Sequence, residues 1–325
     1  MLKVNATSRI MQTRLLPATS EGIHDAVALL RAGGLVAMPT ETVYGLAGDA
    51  RNDRAVAAIF AAKNRPTFNP LIVHLPDLAA VAQYAVLTPE AARLAAAFWP
   101  GPLTMVLPLR DDAALSPLVT AGLTTVAIRV PAHPLAQRLL AEFDGPLAAP
   151  SANPSGRVSP TRADHVLAGL SGRIAAVLDG GACAVGVEST ILALDGQPAL
   201  LRPGGVPVEA IEAVLGAALA LPNDPATPKA PGQLASHYAP EARVRLNVPV
   251  PQPGEIFVGF GPGAADLSLS PDGDLTEAAA NLFHLLRAAD ALAGPGGSIA
   301  FAPVPETGLG RAINDRLRRA AAPRP

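Results

Sequence analysis

The sequence predicts an α/β protein in two parts, and three observations carry that expectation. Short apolar, β-branched runs alternate with segments whose apolar residues recur at helical spacing. The 325 residues, 50% hydrophobic and 16% charged, can bury a sizeable core and make two domains more natural than one. A Pro-rich stretch, PNDPATPKAPGQLASHYAP, ending at Pro240, then breaks the alternation and reads as an extended linker. The expected division is residues 1–220, a linker over 221–240, and a smaller α/β domain over 241–325.

Residues 21–32 place Ile23, Val27 and Leu30 on one helical face and stop at Gly33-Gly34. An apolar run from Leu35 breaks at Pro39 and passes into Thr40, Glu41, Thr42, Val43, Tyr44 and Gly45. Hydroxyls directly after a buried strand line a crevice or form an ordinary Thr-rich turn, and these residues alone leave both readings open. Asn52 or Asp53 caps the next helix, with Val56, Ile59 and Phe60 facing inward; Pro66 ends it by disfavouring helix at Arg65. A strand over 69–75 carries His74, and a lone histidine there is more often a hydrogen-bonded core residue than a functional group.

Helices over 77–84 and 88–98 follow, then the turn Trp99-Pro100-Gly101-Pro102 and a strand over 103–109. The strand over 123–130 contains Arg129, whose burial calls for an anion or an internal salt bridge. A helix to about Glu142 leads to an apolar run that ends in Ala149-Pro150-Ser151-Ala152-Asn153. A strand over 185–192 includes Glu188, Ser189 and Thr190, and its partner runs through Leu200-Leu201 into Arg202-Pro203-Gly204. Beyond the linker, strands near 243–248, 255–260 and 298–302 alternate with helices over 275–293 and 309–320.

A net charge of −2 argues against coating nucleic acid by bulk electrostatics. One cysteine, Cys183, excludes an internal disulfide framework and a cysteine-based zinc site, and fits a reducing compartment. No apolar run reaches the roughly 20 residues that span a bilayer, and the N-terminus lacks a signal-peptide core, so the expectation is a soluble cytoplasmic protein without a membrane partner. P-loop, HExxH and GxSxG motifs are absent from the sequence. Gly259-Phe260-Gly261-Pro262-Gly263-Ala264 matches GxGxxA, but its proline and the polar residues after it predict a loop. What remains is Lys63, Arg65, Arg129 and Arg202 on separate segments, with Thr42, Thr125, Ser151, Asn153 and Ser189. Such a set suits a triphosphate or a carboxylate; taken singly, Lys63 or Arg202 reads equally as a surface charge.

The run Pro39 to Gly45, Lys63-Asn64-Arg65 with Asn69-Pro70-Leu71, PGPLT at 100–104, Arg129-Val130-Pro131, Ser151-Ala152-Asn153 and Glu188-Ser189-Thr190 together resemble the YrdC-like family over about residues 15–215. The linker and the C-terminal part resemble its longer form, the two-domain threonylcarbamoyl-AMP synthases. The resemblance implies a YrdC-like twisted open sheet with helices plus a small Rossmann-like C-terminal domain. It implies a nucleotidyltransferase joining L-threonine, bicarbonate and ATP into L-threonylcarbamoyladenylate and pyrophosphate. The product passes to a tRNA threonylcarbamoyl transferase complex, and tRNA itself is at most a weak contact.

By motif position, the resemblance puts Thr42, His74, Arg129, Ala149 and Ser189 around threonine. It puts Arg65, Asn69, Thr125, Ser151, Ser159, Arg202 and Tyr238 at ATP, with Lys63 and Asn153 completing the basic motif, and Lys63 and Arg65 as the catalytic cations. Mg2+ is expected on the phosphates, with no ligands announced by the sequence. Because Tyr238 lies in the linker, the linker is expected to fold back as a lid that shields the carbamate from water. A non-catalytic RNA-binding module using a Lys63/Arg65 surface is the alternative. A carbamoyl-adenylate enzyme of hydrogenase maturation is weakened by the lack of acylphosphatase and zinc-finger segments.

Overall fold

Thr19 starts the first helix by accepting from the Gly22 amide, and Asn52 starts the second by accepting from Arg54 and Ala55. The computed structural model describes residues 12–220 and 237–323; linker residues 221–236 lie outside the described residues. The first part runs β1 (Arg14–Leu16), α1 (Ser20–Arg31), β2 (Val36–Met38), β3 (Gly45–Asp49), α2 (Asp53–Lys63), β4 (Ile72–His74), α3 (Leu78–Val81), α4 (Pro89–Phe98), β5 (Leu103–Pro108) and α5 (Pro117–Thr120). It continues through β6 (Thr125–Arg129), α6 (Pro134–Phe143), β7 (Leu147–Ala148), α7 (Ala163–Leu170), β8 (Ala176–Leu178), β9 (Thr190–Ala193), β10 (Ala199–Arg202) and α8 (Val208–Leu215).

These strands form a ten-stranded mixed sheet in the order β1-β8-β2-β3-β7-β4-β6-β5-β9-β10. Successive residues of a strand point to opposite faces. Val36 and Met38 therefore pack with Ile23, Val27 and Leu30 of α1 and Leu139 and Phe143 of α6, while Ala37 between them joins Val56, Ile59 and Phe60 of α2. Each large apolar side chain so buried contributes about 1.5–3 kcal/mol, which is why α1 and α2 clamp opposite faces of the sheet.

The second part adds β11 (Arg243–Arg245), β12 (Ile256–Gly259), β13 (Leu267–Ser268), α9 (Leu275–Ala293), β14 (Ser298–Phe301) and α10 (Gly310–Ala321). Its four-stranded sheet, ordered β11-β14-β12-β13, is parallel throughout. Leu282, Phe283 and Leu286 of α9 meet Ile299 and Phe301 of the sheet and Ile313 and Leu317 of α10 in one cluster. That cluster also takes in Val43, Val158 and Val187 of the first part and Tyr238, so the second part's core extends up to the predicted site segments.

The α/β class with a large open sheet and a small parallel-sheet unit agrees with the sequence expectation. The segment after Gly259 is a loop, as its proline requires. Several expectations shorten: 69–75 holds strand only at β4, 77–84 holds helix only at α3, 243–248 holds strand only at β11, and 185–192 becomes strand only at Thr190. Val185 to Ser189 is irregular because its backbone bonds elsewhere: the Val185 amide donates to the Glu41 carbonyl at 2.7 Å and Gly205 donates to the Glu188 carbonyl at 3.0 Å. Among the described residues no helix is long and apolar enough to cross a membrane.

Candidate active site

β4 lies parallel to β6 with His74 beside Arg129 and Ile72 beside Ala127. β5 is antiparallel to β6, with Met105 opposite Ile128, and parallel to β9, with Thr104 beside Ile191. Alternation sends Val73, Ile128, Met105 and Leu192 into the helix-covered core. Ile72, His74, Thr104, Ala127, Arg129 and Ile191 consequently share the other face. A cleft adjoins it.

Of the residues singled out in the sequence, Thr42, Arg65, His74, Arg129, Ala149, Ser151, Ser189, Arg202 and Tyr238 line this cleft. Thr40, Val43, Gly45, Ile72, Pro150, Glu188 and His237 complete the wall. Lys63, Asn69, Thr125, Asn153 and Ser159 are not on it. Lys63 is buried under the Ser151–Asn153 turn, where Nζ donates to the carbonyls of Ser151 and Asn153. Thr125 is on Arg129's face of β6 but about 13 Å farther along the strand. Ser159 sits behind the wall, donating to Glu188 at 2.6 Å. The Lys63/Arg65 surface needed by an RNA-docking module does not exist, because both residues are buried.

One end of the cleft centres on Arg129, the last residue of β6. Its Nη2 pairs with Glu41 at 2.6 Å, Nη1 donates to Thr42 Oγ1 at 2.8 Å, and Nε donates to the Gly101 carbonyl at 3.2 Å. A guanidinium has five N–H groups, so these bonds leave two for a ligand carboxylate. Glu41 also accepts from the Ala132 amide through its other oxygen, which fixes the carboxylate that aims Arg129. Thr40 Oγ1 donates to the Val43 carbonyl, so in its 2.8 Å contact with Thr42 the Thr42 hydroxyl is the donor. Thr42 therefore faces a ligand only as an acceptor.

Beside Arg129, His74 Nδ1 is 3.3 Å from the Ile72 carbonyl. A carbonyl cannot donate, so Nδ1 carries the proton and Nε2 presents a lone pair. Burial, and then the charge of Arg129, push the His74 pKa down to about 3, so the ring is neutral near pH 7. Together with Thr42 and the apolar Ile72 and Ala149, this end offers a cation, two acceptors and a small apolar wall.

The other end is cationic. α2 ends with Asn64 in the left-handed region (φ 51°, ψ 45°), a conformation asparagine tolerates. The turn directs Lys63 inward and Arg65 to the cleft, where Arg65 donates to the carbonyls of Asn69 and Pro70. Burial and the nearby Arg202 lower the Arg65 pKa to about 10. Arg202, ending β10, donates through Nε and Nη2 to the Ser189 carbonyl. Two buried cations that disfavour each other are what an incoming polyanion relieves. The Asn69 side-chain oxygen is buried and meets no donor among the described residues; such an acceptor costs about 1–3 kcal/mol unless a partner arrives.

His237 and Tyr238 also line the cleft, Tyr238 stacked on Phe283 of α9 with ring centroids 5.3 Å apart. Glu188 accepts from Ser159 through one oxygen and from Arg316 of α10 through the other, at 2.9 Å. Burial alone would raise its pKa, but Arg316 and Arg202 hold it down to about 2. Among the described residues no cluster of three or more metal-ligating side chains exists. Glu188 is the one carboxylate among the lining residues, and each of its oxygens already accepts a hydrogen bond.

Sequence reading passes over Glu41, Glu188, His237 and Arg316 as functional residues. Glu41 and Glu188 carry a signal, each being a charge inside a motif of apolar and hydroxyl residues. Arg316 carries none, since a basic residue on a helix ordinarily faces water.

The geometry has close relatives. Residues 28–204 match the Sua5_yciO_yrdC family, described as "Telomere recombination", and residues 206–322 match the family described as "Threonylcarbamoyl-AMP synthase, C-terminal domain". The chain is 45% identical to a threonylcarbamoyl-AMP synthase of Bacillus subtilis, covering 93% of each chain. It is 42% identical to that of Pyrococcus abyssi, covering 92% of this chain and 94% of the relative. The crystal structure of P. abyssi Sua5 complexed with L-threonine superposes with a TM-score of 0.86 at 40% identity, over 95% of this chain and 98% of that one. E. coli YciO shares the fold alone, with a TM-score of 0.54 at 22% identity over 60% of this chain. Both parts of the chain, and nearly its whole length, thus find their counterparts in one place: it belongs to the two-domain, Sua5-type threonylcarbamoyl-AMP synthase family.

Proposed function

We propose that this chain joins L-threonine, bicarbonate and ATP into L-threonylcarbamoyladenylate with release of pyrophosphate, supplying the threonylcarbamoyl modification of tRNA, and that the cleft described above is where it does so. The observation that carries the assignment of the cleft is its polarity: Arg129 with Thr42 and His74 at one end, Arg65 and Arg202 at the other. P. abyssi Sua5 binding L-threonine supports the same ligand here. Arg129 takes the amino-acid carboxylate, Thr42 and the Nε2 of His74 accept from its hydroxyl or amine, and Ile72 with Ala149 meets its methyl group. Ser189 closes that end.

Arg65 and Arg202 take the triphosphate, with Ser151 and Tyr238 along its path. The orphaned Asn69 oxygen suits a hydroxyl or amine of the nucleoside, which extends along the β6 face toward Thr125. Lys63, Asn153 and Ser159 act from behind by holding the loop and Glu188. Once the threonine amine has condensed with bicarbonate to a carbamate, its proton and the bicarbonate hydroxyl leaving as water, a carbamate oxygen attacks the α-phosphorus, a new P–O bond forms, and the bond to pyrophosphate breaks. Held in line, the reactants need little besides positioning and charge stabilisation. His74 and His237, both pushed to about 3 mainly by burial, are neutral near pH 7. Magnesium enters with the nucleotide on its phosphates, since the wall residues do not form a site for it. The linker acts as a lid through His237 and Tyr238, and the product goes in the cytoplasm to a tRNA threonylcarbamoyl transferase complex.

The test is incubation with labelled threonine, bicarbonate and ATP, followed by chromatography for a labelled adenylate and an assay of pyrophosphate. Product that requires all three substrates is expected. A folded protein that makes neither product overturns the proposal.

A further inference from the structure

Arg316 is the largest fully buried side chain among the described residues, 1% exposed, although it belongs to the C-terminal unit and its helix neighbours Arg311 and Arg318 are exposed. Its guanidinium leaves that unit. Nε donates to Glu188 Oε2 at 2.9 Å, Nη1 donates to the Pro203 carbonyl at 2.6 Å and to Asp315 at 3.0 Å, and the group lies 5.6 Å from the centroid of the Tyr238 ring. Nη2 meets no acceptor among the described residues. No atom of Arg316 lines the cleft.

Its three contacts outside α10 all border the cleft: Glu188 and Tyr238 line it, and Pro203 directly follows Arg202. Glu188 is a wall residue, and its charge supports the ionised forms of Lys63 and Arg202. A carboxylate in that position is awkward for an enzyme that must seat a triphosphate, because it repels the phosphates and attracts the cations meant for them. The structure resolves the conflict by giving Glu188 another cation, drawn from the second domain, plus the Ser159 hydroxyl.

We propose that Arg316 is a positioning residue for ATP: it holds the Glu188 carboxylate to the second domain, so that this anion does not compete with the triphosphate for Arg202. The inference rests on the reading of the cleft given above. It also gives the C-terminal unit a defined part in nucleotide binding, exerted through charge and without direct contact.

The test uses the full chain, with calorimetric binding of α,β-methylene-ATP and, separately, of L-threonine. Arg316→Gln leaves the carboxylate uncompensated, and affinity for the nucleotide analogue is expected to fall about tenfold, while threonine, bound farther away, changes by less than about twofold. Adding Glu188→Gln removes the competing charge, so the double variant recovers most of the lost affinity. Arg316→Lys keeps the charge without the fork and is expected between wild type and Arg316→Gln.

Equal weakening of both ligands in Arg316→Gln overturns the proposal, as does a folded double variant that binds the analogue no better than Arg316→Gln. If Arg316→Gln alone does not fold, the double variant decides: near-wild-type nucleotide affinity supports the proposal and a tenfold loss overturns it. Wild-type protein that binds no analogue at all overturns the reading of the cleft itself, which separates that failure from the failure of Arg316.

Discussion

Replacing Arg129 by alanine separates the two ends of the cleft. In the folded protein Arg129 is buried and paired at 2.6 Å with Glu41, which is itself largely buried. Two consequences follow, and they act on different quantities. If Arg129 holds the threonine carboxylate as proposed, loss of the guanidinium removes a charge-assisted hydrogen bond to it, about 1.5–3 kcal/mol, or a roughly 10- to 150-fold rise in Kd. It also strands the Glu41 carboxylate, and breaking a buried pair destabilises a fold by about 3–5 kcal/mol. The double variant Arg129→Ala/Glu41→Gln removes the stranded charge, so stability measured by urea unfolding should largely return while threonine affinity stays about tenfold or more below wild type. Calorimetry with threonine and with α,β-methylene-ATP reads the binding side, and the analogue should bind nearly unchanged to both variants. Equal loss of both ligands, or full recovery of threonine binding in the double variant, would refute the assignment of Arg129.

The pH dependence of stability should carry the signature of buried neutral histidines. His74 has a folded pKa of about 3 against an ordinary 6.5, so the unfolded chain binds the proton first. Its contribution is complete above pH 6.5 and is lost as pH falls toward 3, with a slope of up to about 1.4 kcal/mol per pH unit. His74→Gln should therefore flatten the fall in urea midpoint between pH 6.5 and 5; an unchanged slope would show that His74 is not held neutral. Lys63→Met removes the donor shared by the Ser151 and Asn153 carbonyls, and a net loss of about 2 kcal/mol with a raised KM for ATP is expected. Thermal melting and steady-state kinetics check this, and a variant with both values unchanged would contradict the supporting role.

The parts legible in the sequence were those with a strong local signal. Helices α1, α2 and α9 announce themselves by caps and spacing, and the cations Arg65, Arg129 and Arg202 stand out because charge interrupts an apolar run or follows one directly. β3 was invisible for a physical reason: GLAGD has the composition of a turn, yet Gly45 must stay small because a Cβ there would lie 3.2 Å from that of Ala149. α7, β8 and α8 were also missed, being short and bounded by weak signals.

Within the site, the motifs named the wall but not the depth of each residue. Lys63 and Arg65 are two positions apart in sequence, and only the left-handed turn at Asn64 decides that one lies beneath the loop and the other faces the cleft. Glu188 and Arg316 meet across 128 residues, a pairing that no local pattern encodes. The same holds for Glu41 with Arg129, whose separation of 88 residues hides the carboxylate that aims the guanidinium.

The central claim is that one cleft has an amino-acid end and a phosphate end, and a crystal structure of the full chain with L-threonine and α,β-methylene-ATP bound together tests it most directly. The account predicts the threonine carboxylate on Arg129, its hydroxyl or amine within hydrogen-bond distance of Thr42 or His74, and the phosphates between Arg65 and Arg202. Phosphates on Arg129, or threonine bound outside the cleft, would contradict it.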